Sequence, residues 1–154
     1  MKAYRVLLVV CVCILLVSCA ETGGEETYSF DYKGRKICVG DNCRDTVDVI
    51  GEDFSYREEG ISCGTGETSE IFSYSCFEIQ SNRGIITRIT LTNDFISTPE
   101  GVAVGTDRDR VTEVYGDDFE SVGESIIYKK GNATLNFVIV DGTVGSVYYE
   151  LAKN

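Results

Sequence analysis

The residues most able to do chemistry in this 154-residue chain are its cysteines, because the sequence contains seven of them and no histidine. Four lie beyond the amino-terminal region: Cys38, Cys43, Cys63 and Cys76. They lack the paired C-x-x-C spacing of a zinc site. An even number of cysteines is typical of disulfides where the chain is exported, as the signal pattern of residues 1–18 described below predicts. Three pairings are possible. The pairing of Cys38 with Cys43 and of Cys63 with Cys76 is favoured because both bridges are local.

No other set of residues forms a catalytic signature. Without histidine the chain cannot form a Ser-His-Asp triad, a Cys-His pair or a histidine-bound zinc site. Carboxylates are paired at Glu52-Asp53, Glu58-Glu59 and Asp117-Asp118, but the sequence has no tryptophan to line a sugar cleft and no D-x-D-x-D-G-x5-E calcium loop. We therefore predict no catalytic residue, metal or cofactor. Two alternatives stay open: a carboxylate-dependent enzyme or accessory acting on envelope carbohydrate, and an ion or small-molecule sensor.

Residues 1–18 have the pattern of a secretory signal. Two basic residues precede an apolar run from Val6 to Val17, which is too short to span a membrane as a helix. The run ends at Leu16-Val17-Ser18-Cys19, which resembles the bacterial lipobox. That resemblance implies cleavage before Cys19 and attachment of diacylglycerol to its thiol; an ordinary signal peptide with an incidental cysteine is the alternative. Residues 19–27 are polar, and we expect them to form a flexible tether.

The charge balance narrows the choice of partner. Residues 1–18 carry two of the 14 basic residues and none of the 25 acidic ones, so the remaining chain has 12 basic and 25 acidic side chains and a net charge of −13. Nucleic acid is disfavoured because binding phosphates requires clustered Lys and Arg. The same balance offers no basic patch for an anionic membrane surface. We expect the chain to contact the cell membrane only through lipid on Cys19, outside the cytoplasm, and to bind a protein partner.

Two stretches of 16 residues, Val39–Phe54 and Val104–Phe119, share six identical positions without a gap. In each, apolar residues recur at helical spacing and a glycine follows, so each stretch predicts a short helix that ends at the glycine. Asp41 and Thr106 occupy the positions expected to cap the helix starts. Each predicted helix has about ten residues, too few to be stable in water alone, so it must lie on a sheet.

The strands predicted after each helix determine the predicted fold class. The best defined are Ala133–Val140 and Thr143–Glu150, which flank the hairpin signal Asp141-Gly142. The predicted class is α+β: two tandem repeats, each a short helix followed by a three-stranded antiparallel meander, forming one curved sheet with helices on one face. The repeats are residues 28–97 and 98–154, and Pro99 directs the crossover between them.

Two sets of residues resemble a known group of proteins. Ser62-Cys63 precedes Ile71-Phe72-Ser73-Tyr74-Ser75-Cys76-Phe77-Glu78-Ile79, and Thr98-Pro99-Glu100-Gly101-Val102-Ala103-Val104-Gly105 precedes Val111, Val114, Tyr115 and Gly116. Together they resemble a group of uncharacterised Firmicutes lipoproteins whose halves are helix-plus-meander repeats. More distantly, each repeat resembles the units of the β-lactamase-inhibitory protein and of the outer-membrane assembly lipoprotein BamE. The resemblance implies a binding protein, and no partner-contacting residue is carried over from it.

Aromatic residues supply the candidate binding surface. The chain has nine tyrosines and seven phenylalanines, and packing between strands accounts for most of them. Tyr74 and Tyr148 have the opposite parity to their apolar neighbours, so we expect them on the open face of the sheet, where tyrosine favours protein recognition. The leading hypothesis is a lipid-anchored, extracytoplasmic, non-catalytic binding or scaffold protein.

The lipid anchor can be tested directly. We expect intact-mass spectrometry of the chain purified from membranes to show an amino terminus at Cys19 that carries diacylglycerol. A Cys19→Ser variant should leave the membrane fraction, because the acceptor thiol is gone. An unmodified amino terminus upstream of residue 19 would contradict the prediction.

Overall fold

The computed structural model describes residues 27–51, 53–61 and 68–152. The predicted signal, Cys19 and almost all of the predicted tether lie outside the described residues. The described chain forms ten strands and two helices. Their bounds are β1 Ser29–Tyr32, β2 Arg35–Cys38, α1 Cys43–Ile50, β3 Tyr56–Ile61, β4 Thr68–Ser73, β5 Phe77–Asn82, β6 Ile85–Leu91, α2 Arg108–Tyr115, β7 Glu120–Val122, β8 Ser125–Lys130, β9 Ala133–Val140 and β10 Thr143–Leu151.

Antiparallel pairing organises all ten strands. β1 and β2 form a two-stranded sheet, and the other eight form one sheet in the order β3-β4-β5-β6-β10-β9-β8-β7. Each pair in the large sheet joins strands adjacent in sequence, except at the centre, where β6 pairs with β10. There Leu91 lies opposite Val147 and Ile89 opposite Tyr149. This pairing joins strands β3–β6 to strands β7–β10.

One face of the large sheet is buried in a continuous core. Because side chains alternate along a strand, cross-strand partners share a face. Two buried rows result: Phe72, Ile79, Ile89, Tyr149, Leu135 and Tyr128, and beside it Phe77, Leu91, Val147, Phe137 and Ile126. Phe30 and Ile37 of the small sheet and Val47, Ile50 and Val111 of the helices join the same core. Burying a side chain of this size contributes about 1.5–3 kcal/mol.

The helix caps lie one residue later than predicted. Asn42 precedes α1, and its side chain accepts a hydrogen bond of 3.1 Å from the backbone amide three residues on. Asp107 precedes α2 and makes no side-chain cap. Asp41 accepts instead from the amide of Cys38 at 2.9 Å, and Thr106 Oγ1 accepts from the amide three residues earlier at 3.0 Å. The residues predicted as caps therefore close the turns that lead into the helices.

Backbone hydrogen bonds to a hairpin fix the start of α1. The amide of Gly40 donates to Ile86 O at 2.8 Å, and the amide of Ile86 donates to Asp41 O at 2.9 Å. The amide of Cys43 donates to Gly84 O, in the β5–β6 turn, at 2.8 Å. An eight-residue helix is too short to persist by itself, so these bonds and its buried face stabilise it.

The start of α2 is held in the same way by the β9–β10 hairpin. The amide of Gly105 donates to Val144 O at 2.7 Å, and the amide of Val144 donates to Thr106 O at 2.8 Å. The amide of Arg108 donates to Gly142 O at 3.0 Å. The correct turn in each hairpin is therefore a condition for placing the helix that docks on it.

A tyrosine hydroxyl holds the end of each helix. Tyr74 Oη donates to Gly51 O at 3.1 Å, and Tyr128 Oη donates to Gly116 O at 2.7 Å. Gly51 has φ 96° and Gly116 has φ 85°, in the left-handed region that favours glycine. The two glycines thus end the helices as predicted, and the tyrosines tie those ends to β8 and to the residue after β4.

The predicted α+β class, with three-stranded meanders and helices on one face, is wrong. The described chain is mostly β, with two helices of eight residues each, and four strands rather than three follow each helix. The strands missed from sequence are β3 and β7, the two edges of the large sheet. Edge strands are solvated and need less apolar surface than central ones, so Tyr56–Ile61 and Glu120–Val122 show no clear apolar alternation.

The tyrosine at the end of α2 gives a stability prediction. Tyr128→Phe removes the hydroxyl that binds Gly116 O and leaves the ring in the core. We expect it to lower the free energy of unfolding by about 1 kcal/mol and the melting temperature by about 4 °C. Tyr148→Phe is the matched control, because Tyr148 lies on the opposite face of the sheet. Thermal and denaturant unfolding measure both, and equal losses in the two variants would contradict the prediction.

Candidate functional site

The face of the large sheet opposite the core is mostly polar. Two cross-strand rows define it, and we call these residues the open face: Ser73, Glu78, Thr90, Tyr148, Asn136 and Ile127 in one row, and Ile71, Gln80, Arg88, Glu150, Thr134 and Lys129 in the other. Asn136 is buried, Lys129 is exposed, and the rest are half-exposed. The open face therefore offers hydrogen-bonding groups around a few apolar ones.

Tyr148 lies at the centre of the open face, on β10. The guanidinium carbon of Arg88 lies 4.7 Å from the centroid of the Tyr148 ring, which is cation–π geometry. Arg88 Nη2 also donates to Glu150 Oε1 at 2.7 Å. Both partners of this ion pair are partly solvated, so it contributes little to stability. Its main effect is to hold the guanidinium over the ring.

Neighbouring polar side chains on the open face are held by one another. Asn136 is 2% exposed, and its Nδ2 donates to Thr134 Oγ1 at 2.9 Å and to Tyr148 O at 3.4 Å. Ser73 Oγ donates to Glu78 Oε2 at 2.9 Å. A surface whose polar groups are already ordered loses less conformational entropy when a partner binds.

Only one of the two tyrosines predicted on the open face lies there. Tyr74 is 5% exposed and stacks on Phe77 with ring centroids 4.6 Å apart, so it belongs to the core. Tyr74 follows Ser73, the last residue of β4, at a point where its amide turns to bond Phe77 O. Tyr74 lies two residues after Phe72, which is buried in the core, so strand alternation places both side chains on the core side, and the predicted parity of Tyr74 is wrong.

The predicted disulfide residues lie in different surroundings. No disulfide joins any two of Cys38, Cys43 and Cys76, and Cys63 lies outside the described residues. Cys43 is fully buried in the core, whereas Cys38 is half-buried and lines a surface cleft. The favoured Cys38–Cys43 bridge is thus not formed in the structure. Burial, and then the carboxylate of Asp41, raises the pKa of the Cys38 thiol.

The paired carboxylates whose side chains the structure describes, Asp53, Asp117 and Asp118, are not gathered into a site. Asp117 and Asp118 are exposed, Asp53 forms an exposed ion pair of 3.3 Å with Lys33, and Glu52 lies outside the described residues. Among the residues that the structure describes, no three Cys, Asp or Glu side chains are grouped as metal ligands. In the same part of the chain, no helix combines the length and apolar character needed to cross a membrane.

Sequence reasoning missed the two charged neighbours of Tyr148. Glu150 could have been found, because it lies two residues beyond Tyr148 in a strand with a clear hairpin signal and so shares its face. Arg88 could not, because it reaches Tyr148 only through the β6–β10 pairing, and no local pattern indicates which distant strand is the neighbour.

No protein-family model, curated protein or solved structure matches this chain. The resemblance to Firmicutes lipoproteins and to BamE-like units therefore stays a prediction.

The cysteines give a prediction about reactivity. With the chain folded and reduced, we expect iodoacetamide to label Cys38 well before Cys43, because Cys43 is 0% exposed. Labelling of Cys38 should accelerate as pH rises beyond the usual thiol range, since its raised pKa leaves little thiolate at neutral pH. Peptide mass spectrometry measures both rates, and faster labelling of Cys43 would contradict the structure. A parallel unreduced, unfolded sample tests the predicted disulfides, because oxidised cysteines take up no label.

Proposed function

We propose that this chain is a lipid-anchored extracytoplasmic protein that binds a protein partner through the open face of its sheet and performs no chemistry itself. The observation that carries the proposal is the pair of Tyr148 and Arg88 at the centre of that face. Tyr and Arg are among the residues most enriched at the energetic centres of protein interfaces.

The surroundings of the pair suit such a centre. The guanidinium of Arg88 lies over the ring of Tyr148, and the ordered amide of Asn136 bonds the backbone carbonyl of Tyr148, so little side-chain entropy remains to be lost on binding. Polar residues of β5, β6 and β9 surround it and can form a hydrogen-bonding rim. A partner that covers the ring would also strengthen the contact between the guanidinium and the ring by excluding water.

The size of the open face indicates the kind of complex. Six strands at a spacing of about 4.8 Å give a width of roughly 24 Å, and two rows of side chains add a height of about 14 Å. The resulting area is well below the roughly 800 Å² per partner of a standard stable interface. The open face alone therefore suits a transient complex.

The predicted anchor keeps this face near the membrane. If Cys19 carries lipid, residues 19–26 can hold the domain at most about 28 Å from it. The net charge of −13 beyond residue 18 disfavours contact with an anionic bilayer. The partner is then another protein of the envelope within reach of the tether.

Photo-crosslinking in cells tests the proposal. With a photoreactive phenylalanine at position 148, we expect a discrete protein adduct after irradiation, because the side chain lies at the centre of the interface. The same residue at position 95 is the matched control: Phe95 is 88% exposed, so random collisions would label it more strongly. No adduct at 148, or the same adducts at both positions, would contradict the proposal.

A charge change separates binding from folding. Arg88→Glu should reduce the yield of the protein adduct crosslinked at position 148 by about tenfold or more. The substitution places a carboxylate beside Glu150 and removes the cation from the Tyr148 ring. Arg110→Glu is the matched control, because Arg110 also forms an ion pair, with Glu113 at 3.0 Å, but on the exposed surface of α2. Equal loss of the adduct in both variants would mean that general charge, and not the open face, controls the contact.

A further inference from the structure

A cleft of about 400 Å³ opens beside the small sheet, away from the open face. Its walls come from the outer side of β1 and β2, the crossover at Pro99 and Glu100, the end of β8 at Lys130, and Tyr149 of β10. Tyr149 follows Tyr148 in the strand, so its side chain points to the core side of the sheet. The cleft and the open face are therefore separate surfaces.

The hydroxyl of Tyr149 is the feature that sets this cleft apart. The side chain is 1% exposed, and no residue that the structure describes offers its hydroxyl a hydrogen-bond partner. A buried hydroxyl without a partner loses its hydrogen bonds to water and gains none in return, so buried polar groups in native proteins are almost always paired. Burial raises the pKa of Tyr149 well above its usual range, and the carboxylates of Glu100 and Asp31 raise it further. The phenol is therefore protonated and able to donate.

Charges of both signs line the cleft. Asp31 and Lys36 are cross-strand partners on the small sheet, and Glu100 and Lys130 lie on the other walls. None of Asp31, Lys36 and Glu100 forms an ion pair with another described residue. A ligand that places a cation near the two carboxylates and an anion near an ammonium group would complement all of them.

Glu100 is the best positioned of these charges. Its carboxylate accepts a short hydrogen bond from Tyr115 Oη, which in turn contacts Thr98 Oγ1 at 2.8 Å. Thr98 is 2% exposed, so a buried residue holds the Tyr115 hydroxyl in place, and that hydroxyl holds the Glu100 carboxylate. One oxygen of Glu100 is thus anchored, and the other is available to a ligand.

We propose that this cleft binds a small zwitterion with an ammonium and a carboxylate group, such as a free amino acid or a dipeptide with both ends free. The ammonium group lies at Glu100 and Asp31. The carboxylate accepts a hydrogen bond from Tyr149 and faces Lys36. The volume is at the lower end of the range for small-molecule sites, about 300–1,000 Å³. This binding does not depend on the protein partner of the open face.

Titration calorimetry of the full chain in detergent tests the site. The probes are single amino acids and glycyl dipeptides, each also in N-acetylated and carboxamide form. We expect at least one free zwitterion to bind and both blocked forms to bind at least tenfold more weakly, because each block removes one charge. Binding of amino acids but not dipeptides, or of dipeptides but not amino acids, identifies which of the two is the ligand class of the cleft. No binding by any probe at millimolar concentration, or equal binding of blocked forms, would overturn the proposal.

Two phenylalanine variants separate the hydroxyl of Tyr149 from its ring. Tyr149→Phe should lower the affinity for the zwitterion by about five- to tenfold, because one hydrogen bond to the ligand is lost. It should not lower the melting temperature of the unliganded chain. Tyr128→Phe is the matched control on the same face: it should lower the melting temperature and leave the affinity unchanged. Unchanged affinity in Tyr149→Phe, or a melting temperature several degrees lower, would overturn the proposal, because the hydroxyl would then serve the fold instead.

Discussion

The pairing of β6 with β10 is the constraint on which the rest of the structure depends. It is the one contact in the large sheet between strands distant in sequence, and it joins two runs of four strands into one sheet. Its register sends Ile89 and Tyr149 into the core and Arg88 and Glu150 to the open face. A slip of one residue would exchange the two sets. Burying an unpaired charge costs several kcal/mol, so the charged residues specify the register as strongly as the apolar ones.

The helices depend on the same sheet through its hairpins. Each is held at its start by three backbone hydrogen bonds to a hairpin and at its end by a tyrosine hydroxyl. Asp141 and Gly142, at φ 50° and 82°, make the tight turn that presents Gly142 O and Val144 to α2. Hairpins form from contacts that are local in sequence, with little loop-closure entropy. The short helices are therefore stabilised by structure that can form before them.

The parts of the fold that could be predicted are those governed by local patterns. The β9–β10 hairpin is confirmed, with strands Ala133–Val140 and Thr143–Leu151 around the expected turn. The edge strands leave no local alternation to detect. Tyr74 has the same parity as the buried Phe72, so its place in the core could have been predicted. In the candidate site, the position of Tyr148 follows from strand parity. The position of Arg88 depends on the pairing of β6 with β10, which brings it to Glu150, 62 residues away in sequence. Non-local register, more than propensity, limited the prediction.

Two adjacent tyrosines on β10 show how one strand serves two surfaces. Period-two geometry gives Tyr148 a solvated ring beside Arg88, and gives Tyr149 a buried side chain that lines the cleft from the core side of the sheet. For core packing alone, phenylalanine would serve better at 149, because it fills the same space without a polar atom to satisfy. Tyr128, in the same cross-strand row, bonds Gly116 O, so its hydroxyl serves the fold. The hydroxyl of Tyr149 has no such partner among the described residues, and Tyr149 lines a cleft with charges of both signs, where a bound zwitterion would supply the missing partner.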